Sequence, residues 1–284
     1  MLVLALDTTS EKGGAAIYRD ENCLALVANQ GPANAYSVSL FELVARALEI
    51  AKLRPSSPAP QAGKDGAPPR SADRPEPTPL AGLGAVELFA VANGPGSFTG
   101  IRVGTAAVQA WARAFGRPVR GVSILEAMVR AARPDTEWAV PILDARRGEF
   151  FLGCFRRSAQ PGPAGDGAQS PRQGHDMRPI GCGQAFEPEG EGWVLRPLEL
   201  KIFLQERLRA AASVTCLARE HDRAAFALRE ALPERYVWQS LPGALLEAIA
   251  RLGLEAHARG LAQEPAELHA CYIRRPDAEL NWRE

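Results

Sequence analysis

The stretch LVLALDTTSEKGGAAIY, residues 2–18, has the same layout as WAVPILDARRGEFFLGCF, residues 138–155. Each begins with a short apolar run typical of a buried strand, ends that run in an aspartate, and continues through a polar turn with glycine into a second apolar run. The two aspartates are Asp7 and Asp144. Because a layout that occurs twice in one chain indicates internal duplication, we predict two halves that each start with a β-hairpin.

The segments after the first hairpin complete a βββαβα unit. A third strand is predicted near residues 23–29, a helix at about 36–52, a strand at 86–93 and a second helix at about 101–115. This is the layout of the actin, sugar-kinase and Hsp70 (ASKHA) fold, in which two hairpin turns hold nucleotide phosphates between two lobes. We expect an α/β fold with duplicated βββαβα lobes and a degenerate second lobe. The lobes should span residues 1–121 and 122–284, the latter with a C-terminal helix and tail.

Two segments lack the composition of folded structure. Residues from about 54 to 80 and from about 158 to 179 are rich in Pro, Ala and Gly and hold almost no large apolar side chain. Such a composition does not bury enough apolar surface to offset the entropy lost on ordering. We predict a disordered surface insertion at each place, one per lobe.

The composition of the whole chain excludes several classes of protein. Lys+Arg and Asp+Glu both number 33 in 284 residues, so no basic excess indicates a dedicated nucleic-acid-binding protein. The five cysteines are scattered and the four histidines have no metal-ligand spacing, so we expect reduced thiols, a cytoplasmic location and no metal site. Since no apolar run is long enough to span a bilayer, we expect no membrane association.

A glycine-rich loop, NGPGSFTGIRVG at residues 93–104, lies between a predicted strand and a predicted helix. Backbone N–H groups at such a helix start attract anions, and glycine lets a phosphate approach closely. The spacing matches neither GxGxxG nor the P-loop pattern, so a structural turn is favoured over a working phosphate site. Ser97 or Thr99 would cap the helix, and Arg102 is the best partner for an anion.

The two hairpin turns also differ from those of an active nucleotide site. In active members of the fold, aspartates at these positions hold Mg²⁺ or its waters, and a glycine two residues later lets the backbone wrap the phosphate. Thr9 and Arg146 stand at that distance from the two aspartates, so we predict weak or absent nucleotide binding and assign no catalytic residue. The candidates for a degenerate phosphate loop are Asp7, Thr8, Thr9, Gly94, Gly96, Ser97, Thr99, Gly100, Arg102 and Asp144.

The helix at about 36–52 carries more apolar surface than one lobe requires. At about 100° per residue its apolar side chains cover roughly two-thirds of the circumference, whereas a helix on a soluble domain buries a stripe of somewhat over 100°. Either the helix is covered on all sides, or one apolar edge contacts a partner. The candidate interface residues, here and on the helix after the glycine loop, are Leu40, Phe41, Leu43, Val44, Ala47, Ile50, Gly104, Ala107 and Trp111.

Four motifs carry a resemblance to a known family. They are LALDTTS at residues 4–10, ANGPGSFTGIRVG at 92–104, ILDARRGEFF at 142–151 and CYIRRPDAELNW at 271–282. Together they resemble the TsaB (YeaZ) family, and the resemblance covers the chain apart from the two insertions. One departure is visible, because Tyr36-Ser37 stands where the family commonly has a His-Ser pair.

The resemblance implies that the function depends on contact surfaces for other proteins and not on a catalytic centre in this chain. TsaB proteins are inactive relatives of the catalytic subunit TsaD, and with TsaD and the ATPase TsaE they install threonylcarbamoyl on N6 of adenosine 37 in tRNAs that read ANN codons. It further implies that TsaD pairs with the first helices of this chain, that tRNA is met through the complex, and that ATP and a metal ion belong to the partner. The sequence leaves open whether two copies of the chain pair with each other.

Two alternatives remain at this stage. The first is a small-molecule kinase or ATPase of the same fold, against which the missing phosphate-loop glycines argue. The second is a metallopeptidase of the glycoprotease (M22) type, against which the missing metal-ligand histidines argue.

Overall fold

Two mixed β-sheets and six α-helices form an α/β fold in the residues that the computed structural model describes, 1–31, 36–53, 80–161 and 184–274. The strands are β1 (Leu2–Asp7), β2 (Gly14–Arg19), β3 (Asn22–Ala28), β4 (Leu88–Gly94), β5 (Val119–Ser123), β6 (Trp138–Asp144), β7 (Phe150–Leu152), β8 (Phe155–Pro161), β9 (Gln184–Pro188), β10 (Trp193–Leu195), β11 (Val214–Arg219) and β12 (Tyr236–Leu241). The helices are α1 (Tyr36–Ile50), α2 (Phe98–Phe115), α3 (Ile124–Ala132), α4 (Pro197–Arg207), α5 (Arg223–Ala227) and α6 (Leu246–Ala258). None of these helices is both long and apolar enough to cross a membrane.

The first sheet has the strand order β3-β2-β1-β4-β5. Strands β1, β2 and β3 are antiparallel neighbours, and β1, β4 and β5 run parallel. All six residues of β1 are buried, as its nearly continuous apolar sequence predicts. Side chains that alternate along β1 enter two cores, one with α1 and α2 and the other with α3 and α6.

The second sheet repeats this arrangement around β6. Its main order is β10-β7-β6-β11-β12, and β8 pairs with both β6 and β9. As around β1, the hairpin partner of β6 is antiparallel and the crossover strands β11 and β12 are parallel. The predicted hairpins are therefore confirmed, with Asp7 and Asp144 as the last residues of β1 and β6.

Two boundaries differ from the sequence prediction by three residues or more. Helix α2 begins at Phe98 and not near Ile101, because Ser97 caps it by accepting the Gly100 N–H. Strand β8 continues to Pro161, since its backbone pairs with β9 despite a composition typical of a loop. The rest of the two predicted insertions, residues 54–79 and 162–179, and the tail from residue 275 lie outside the described residues.

Candidate functional site

A cleft of about 920 Å³ lies where the carboxyl ends of β1 and β6 face each other. Short segments at 9–11, 95–98, 143–147, 221–224 and 271–274 supply most of its lining. In open parallel sheets ligands bind outside the carboxyl ends of the strands. This cleft is therefore the candidate functional site, and its lining includes five of the ten residues predicted for a degenerate phosphate loop, namely Thr9, Gly96, Ser97, Arg102 and Asp144.

Asp7 at the end of β1 is fully buried and already neutralised. Its Oδ1 accepts hydrogen bonds from the Thr9 N–H at 2.9 Å and the Thr9 hydroxyl at 2.6 Å. Its Oδ2 accepts one from Nη2 of Arg219 at 3.3 Å, while Nη1 of Arg219 donates to Oγ of Ser10 at 2.7 Å. Arg219 is only 2% exposed. The carboxylate that would help hold Mg²⁺ in an active site is thus committed to an internal ion pair.

Sequence reasoning missed Arg219. It is the last residue of β11, which comes from the other half of the chain, 212 residues after Asp7. The only sequence signal for this residue is an arginine at the end of the apolar run VTCLA. Charged residues often end strands simply because the strand end is solvated. Nothing in the sequence indicates that this arginine reaches back to the first hairpin.

The glycine loop packs on the first hairpin turn. The Thr8 hydroxyl donates to the Gly100 carbonyl at 2.7 Å. A Cβ atom on Gly100 would lie 1.9 Å from the Thr8 carbonyl oxygen, and one on Gly104 would lie 2.3 Å from the Thr8 hydroxyl. A Cβ on Gly96 would lie 2.5 Å from the Thr9 carbonyl oxygen. These glycines therefore let α2 approach the chain's own backbone, which fits the structural role that the sequence favoured.

Gly94 has a similar role toward the C-terminal segment. Its φ is +130°, and a Cβ atom there would lie 2.2 Å from the Cys271 carbonyl oxygen. The Cys271 N–H donates to the Asn93 carbonyl at 2.7 Å. This contact carries the chain along the cleft, so that Tyr272 and Arg274 become part of its lining.

Arg102 packs against a pair of exposed aromatic rings at the cleft. Its guanidinium carbon lies 3.8 Å from the ring centroid of Phe98 and 5.9 Å from that of Tyr272. Its Nε donates to the Tyr272 hydroxyl at 3.0 Å, and the two rings are 5.0 Å apart. Cation–π contact holds the arginine in place while leaving its charge uncancelled. Thr99, the alternative cap, is exposed beside this group.

The second hairpin turn is closed by its own hydrogen bonds. Asp144 accepts the Arg146 N–H at 2.7 Å, and the Asp144 N–H donates to Asp222 at 2.7 Å. Arg146 and Arg147 have φ angles of 65° and 59°, which are uncommon for residues with a side chain. Both side chains are exposed and line the cleft. The second hairpin turn therefore presents a cationic rim to the cleft.

Two titratable groups beside the Asp7 pair are kept neutral. Tyr36 is buried and donates its hydroxyl to the Ser10 carbonyl at 2.9 Å, and burial together with the Asp7 charge raises its pKa above the ordinary value. Burial, aided by the Arg219 charge, lowers the pKa of His221 below 6.5. Neither side chain carries a charge near pH 7. Among the described residues, no cluster of three or more His, Cys, Asp or Glu is arranged to hold a metal ion.

Helix α1 separates the predicted interface residues into two groups. Leu40, Val44 and Ala47 are fully buried in the chain's own core against the first sheet. They cannot form a surface, so their assignment to a partner interface is wrong. Phe41 and Ile50 are 52% and 49% exposed. The buried side chains form an inner edge, and Phe41 and Ile50 lie on opposite flanks of it, about 180° apart around the helix. We call the flank with Phe41 the outer edge.

Two interface candidates on α2 are also internal. Trp111 is buried, with its ring centroid 5.9 Å from that of Phe41 in an edge-to-face arrangement. Gly104 is in contact with Thr8, as described above. Leu43 and Ala107 are partly buried against the same core. Val38, which the sequence did not single out, is the most exposed of the large apolar residues on α1 at 82%.

Known proteins match parts of the sequence. Residues 81–162 match the model of the TsaD family, tRNA N6-adenosine threonylcarbamoyltransferase. The TsaB proteins of Bacillus subtilis and Haemophilus influenzae, described as tRNA threonylcarbamoyladenosine biosynthesis proteins, are 38% and 42% identical over 66 and 73 residues. These matches span 23% and 25% of this chain and 29% and 31% of those relatives, so less than a third of each relative is aligned.

Solved structures match the fold over nearly the whole chain. YeaZ from Pseudomonas aeruginosa has a TM-score of 0.61 at 22% identity, covering 95% of this chain and 99% of that one. A second structure, an uncharacterized protein similar to peptidase YeaZ from the same organism, has a TM-score of 0.62 at 23% identity, covering 96% and 99%. The local sequence matches and the TsaD-type model support the TsaB/YeaZ family that the sequence motifs predict, and the solved structures show the shared fold.

Proposed function

We propose that this chain is a TsaB-like subunit without a catalytic centre of its own. It takes part in threonylcarbamoylation of N6 of adenosine 37 in tRNAs that read ANN codons. The chemistry, with its ATP and metal ion, belongs to a TsaD-like subunit, and a TsaE-like ATPase completes the complex. The observation that carries this proposal is the buried Asp7–Arg219 pair, because it occupies the carboxylate that a nucleotide-using member of the fold needs.

The proposal includes a duplicated ASKHA architecture in a cytoplasmic protein. The two sheets share the order of antiparallel and parallel neighbours around a central strand that ends in aspartate. We place the lobes at residues 1–121 and 122–284. Helix α6 belongs to the second lobe by its place in the sequence, but it packs on β1, β4 and β5 of the first sheet.

The outer edge of α1 is the proposed contact surface for the TsaD-like subunit. Val38 and Phe41 expose large apolar side chains on one flank of the helix, whose inner edge is already covered by its own sheet, while Ile50 lies on the opposite flank. A few central apolar or aromatic side chains usually carry most of the energy of an interface. Phe41 is the best candidate, because its contact with Trp111 holds the ring in one orientation.

Calorimetry with Mg²⁺-ATP separates this proposal from the kinase alternative. The isolated chain should show no binding in the micromolar range, because the first hairpin turn is filled by the glycine loop and the Asp7 charge is neutralised. A micromolar dissociation constant would contradict the proposal and favour a kinase or ATPase.

Co-purification from the native cell tests the assignment of the partner. The chain should be recovered with the TsaD-like subunit, and its deletion should remove threonylcarbamoyl from tRNAs that read ANN codons. Size-exclusion chromatography of the chain alone then determines whether two copies pair in the absence of that subunit. Normal modification in the deletion strain would refute the proposed function.

A further inference from the structure

We propose that the cleft mouth of this chain binds a single-stranded RNA segment directly, with bases on the Phe98–Tyr272 rings and phosphates on the surrounding arginines. The inference rests on the proposed function, which brings tRNA to the complex, and adds a contact surface that the family matches do not assign. It is carried by the side chains that converge on the cleft.

The first observation is a concentration of arginine in a chain whose formal net charge is zero. Six arginines and three carboxylates line the cleft. Two of these arginines have internal partners, Arg219 with Asp7 and Arg274 with Glu149. Among the described residues, Arg102, Arg146 and Arg223 form no ion pair.

Two of the three carboxylates, Asp144 and Asp222, are turned toward the protein, whereas Glu11 is exposed. Asp144 accepts a backbone N–H from its own turn, and Asp222 accepts the backbone N–H groups of Asp144 and Ala225. By contrast, the side chains of Arg146 and Arg223 are exposed at the rim. Their guanidinium groups are therefore the part of the lining that an anion in solvent meets first. Nε of Arg219, at the buried end of the cleft, also has no hydrogen-bond partner among the described residues.

The second observation is the stack at the cleft mouth. Phe98 and Tyr272 are both partly exposed and pack on each other with centroids 5.0 Å apart, and the guanidinium of Arg102 packs against the Phe98 ring. Single-stranded nucleic acid is bound by this combination, in which bases stack on aromatic or guanidinium planes and nearby cations follow the backbone. A simple inorganic anion would bind the arginines but would make no stacking contact with the exposed rings.

The closed interior favours RNA over a free nucleoside triphosphate. The Thr8–Gly100 contact fills the place where a first turn would wrap phosphates, and Asp7 is paired. The available cations come from three separate segments around the rim, on α2, the β6–β7 turn and the start of α5. That distribution suits consecutive phosphates of a strand crossing the mouth better than a compact triphosphate held by one loop.

The test measures binding of the isolated full chain to labelled tRNA that reads ANN codons and to a mixed-sequence single-stranded RNA oligonucleotide. The charge variant combines Arg102→Gln, Arg146→Asn and Arg223→Gln, with asparagine chosen because it tolerates positive φ. The control variant removes the same charge at exposed positions outside the cleft lining, with Arg113→Gln, Arg229→Gln and Arg259→Gln.

We expect the charge variant to raise Kd at least about tenfold at low salt and to lower the slope of log Kd against log salt by about 2, since each phosphate contact to a single strand contributes roughly 0.7. The stacking variant Phe98→Leu with Tyr272→Leu should raise Kd by about tenfold with little change in slope. The control variant should bind RNA like the wild type. Equal weakening in the control and charge variants would overturn the inference, as would wild-type RNA binding too weak to measure.

Two further arms separate this inference from the proposed function. Competition by Mg²⁺-ATP at micromolar concentration would assign the cleft to a mononucleotide and overturn the RNA proposal. Pull-down with the TsaD-like subunit should be normal for the charge and stacking variants, while tRNA modification by the resulting complex falls. If those variants associate, bind RNA normally and support full modification, the inference fails while the proposed function stands.

Discussion

Ala47 and Ala45 lie two residues apart on α1 and face different surroundings. Ala47 is fully buried in the core under the first sheet, whereas Ala45 is partly exposed on the outer side of the helix. Alanine and glutamate both favour helix, so replacing either residue by glutamate changes mainly what the side chain meets. The pair of variants Ala47→Glu and Ala45→Glu therefore tests the orientation of the helix.

The two variants should differ strongly in stability. Glu at position 47 adds volume to a packed core, which costs about 1–3 kcal/mol, and buries an unpaired carboxyl group, which costs about 2 kcal/mol or more. At roughly 2–4 °C per kcal/mol for a domain of this size, Tm should fall by about 10 °C. Glu at position 45 remains in contact with water, so Tm should change by no more than about 2 °C. Scanning calorimetry of the isolated chain measures both values.

Affinity for the TsaD-like subunit should distinguish the two variants in the opposite way, with the larger direct effect from Ala45→Glu. An unpaired charge from Ala45→Glu in an apolar interface would cost about 3 kcal/mol on burial, or roughly a hundredfold in Kd for the TsaD-like subunit. Ala131→Glu, at an exposed position on α3, is a control for the same substitution away from the proposed interface. If the Ala45 variant keeps wild-type Tm and wild-type affinity, the outer edge of α1 is not the interface. If it unfolds like the Ala47 variant, the assigned orientation of the helix is wrong.

Three other changes test the cleft. Arg219→Met should destabilise the chain by about 3–5 kcal/mol in chemical denaturation because Asp7 stays buried without its partner, and adding Asp7→Asn should recover much of the loss. Gly100→Ala should lower Tm by several degrees, since the new methyl group would lie 1.9 Å from the Thr8 carbonyl oxygen. His221 should titrate below pH 6.5 by NMR; because its pKa is lowered on folding, stability should fall as the pH drops from about 6.5 toward the folded-state pKa, and His221→Gln should remove that part of the dependence.

The strands and the paired hairpins could be predicted because their signal is local. A short apolar run that ends in aspartate and a glycine turn specifies a buried strand and a hairpin within about fifteen residues. The start of α2 was misplaced by three residues, because Ser97 and Thr99 are both good caps and only packing decides between them. The end of β8 was missed because pairing with β9, not composition, keeps residues 158–161 in a strand.

The candidate site could be predicted only in part. The aspartate and the glycine loop are visible in the sequence, but their contact depends on how α2 docks against the first turn. The arginine that neutralises Asp7 is 212 residues away, and no local pattern connects the two. The orientation of α1 has the same limit, since a helix with apolar residues on two-thirds of its surface offers several inner faces that periodicity cannot rank.

The Asp7–Arg219 pair also has a mechanical consequence. Moving β11 away from β1 would separate the buried charges of Asp7 and Arg219 and break their ion pair. Helix α6, which follows β12 in the chain but packs on the first sheet, opposes the same movement. The two sheets are therefore held together by an internal ion pair as well as by the packing of α6. A chain braced in this way would present its outer surfaces in one fixed relative geometry.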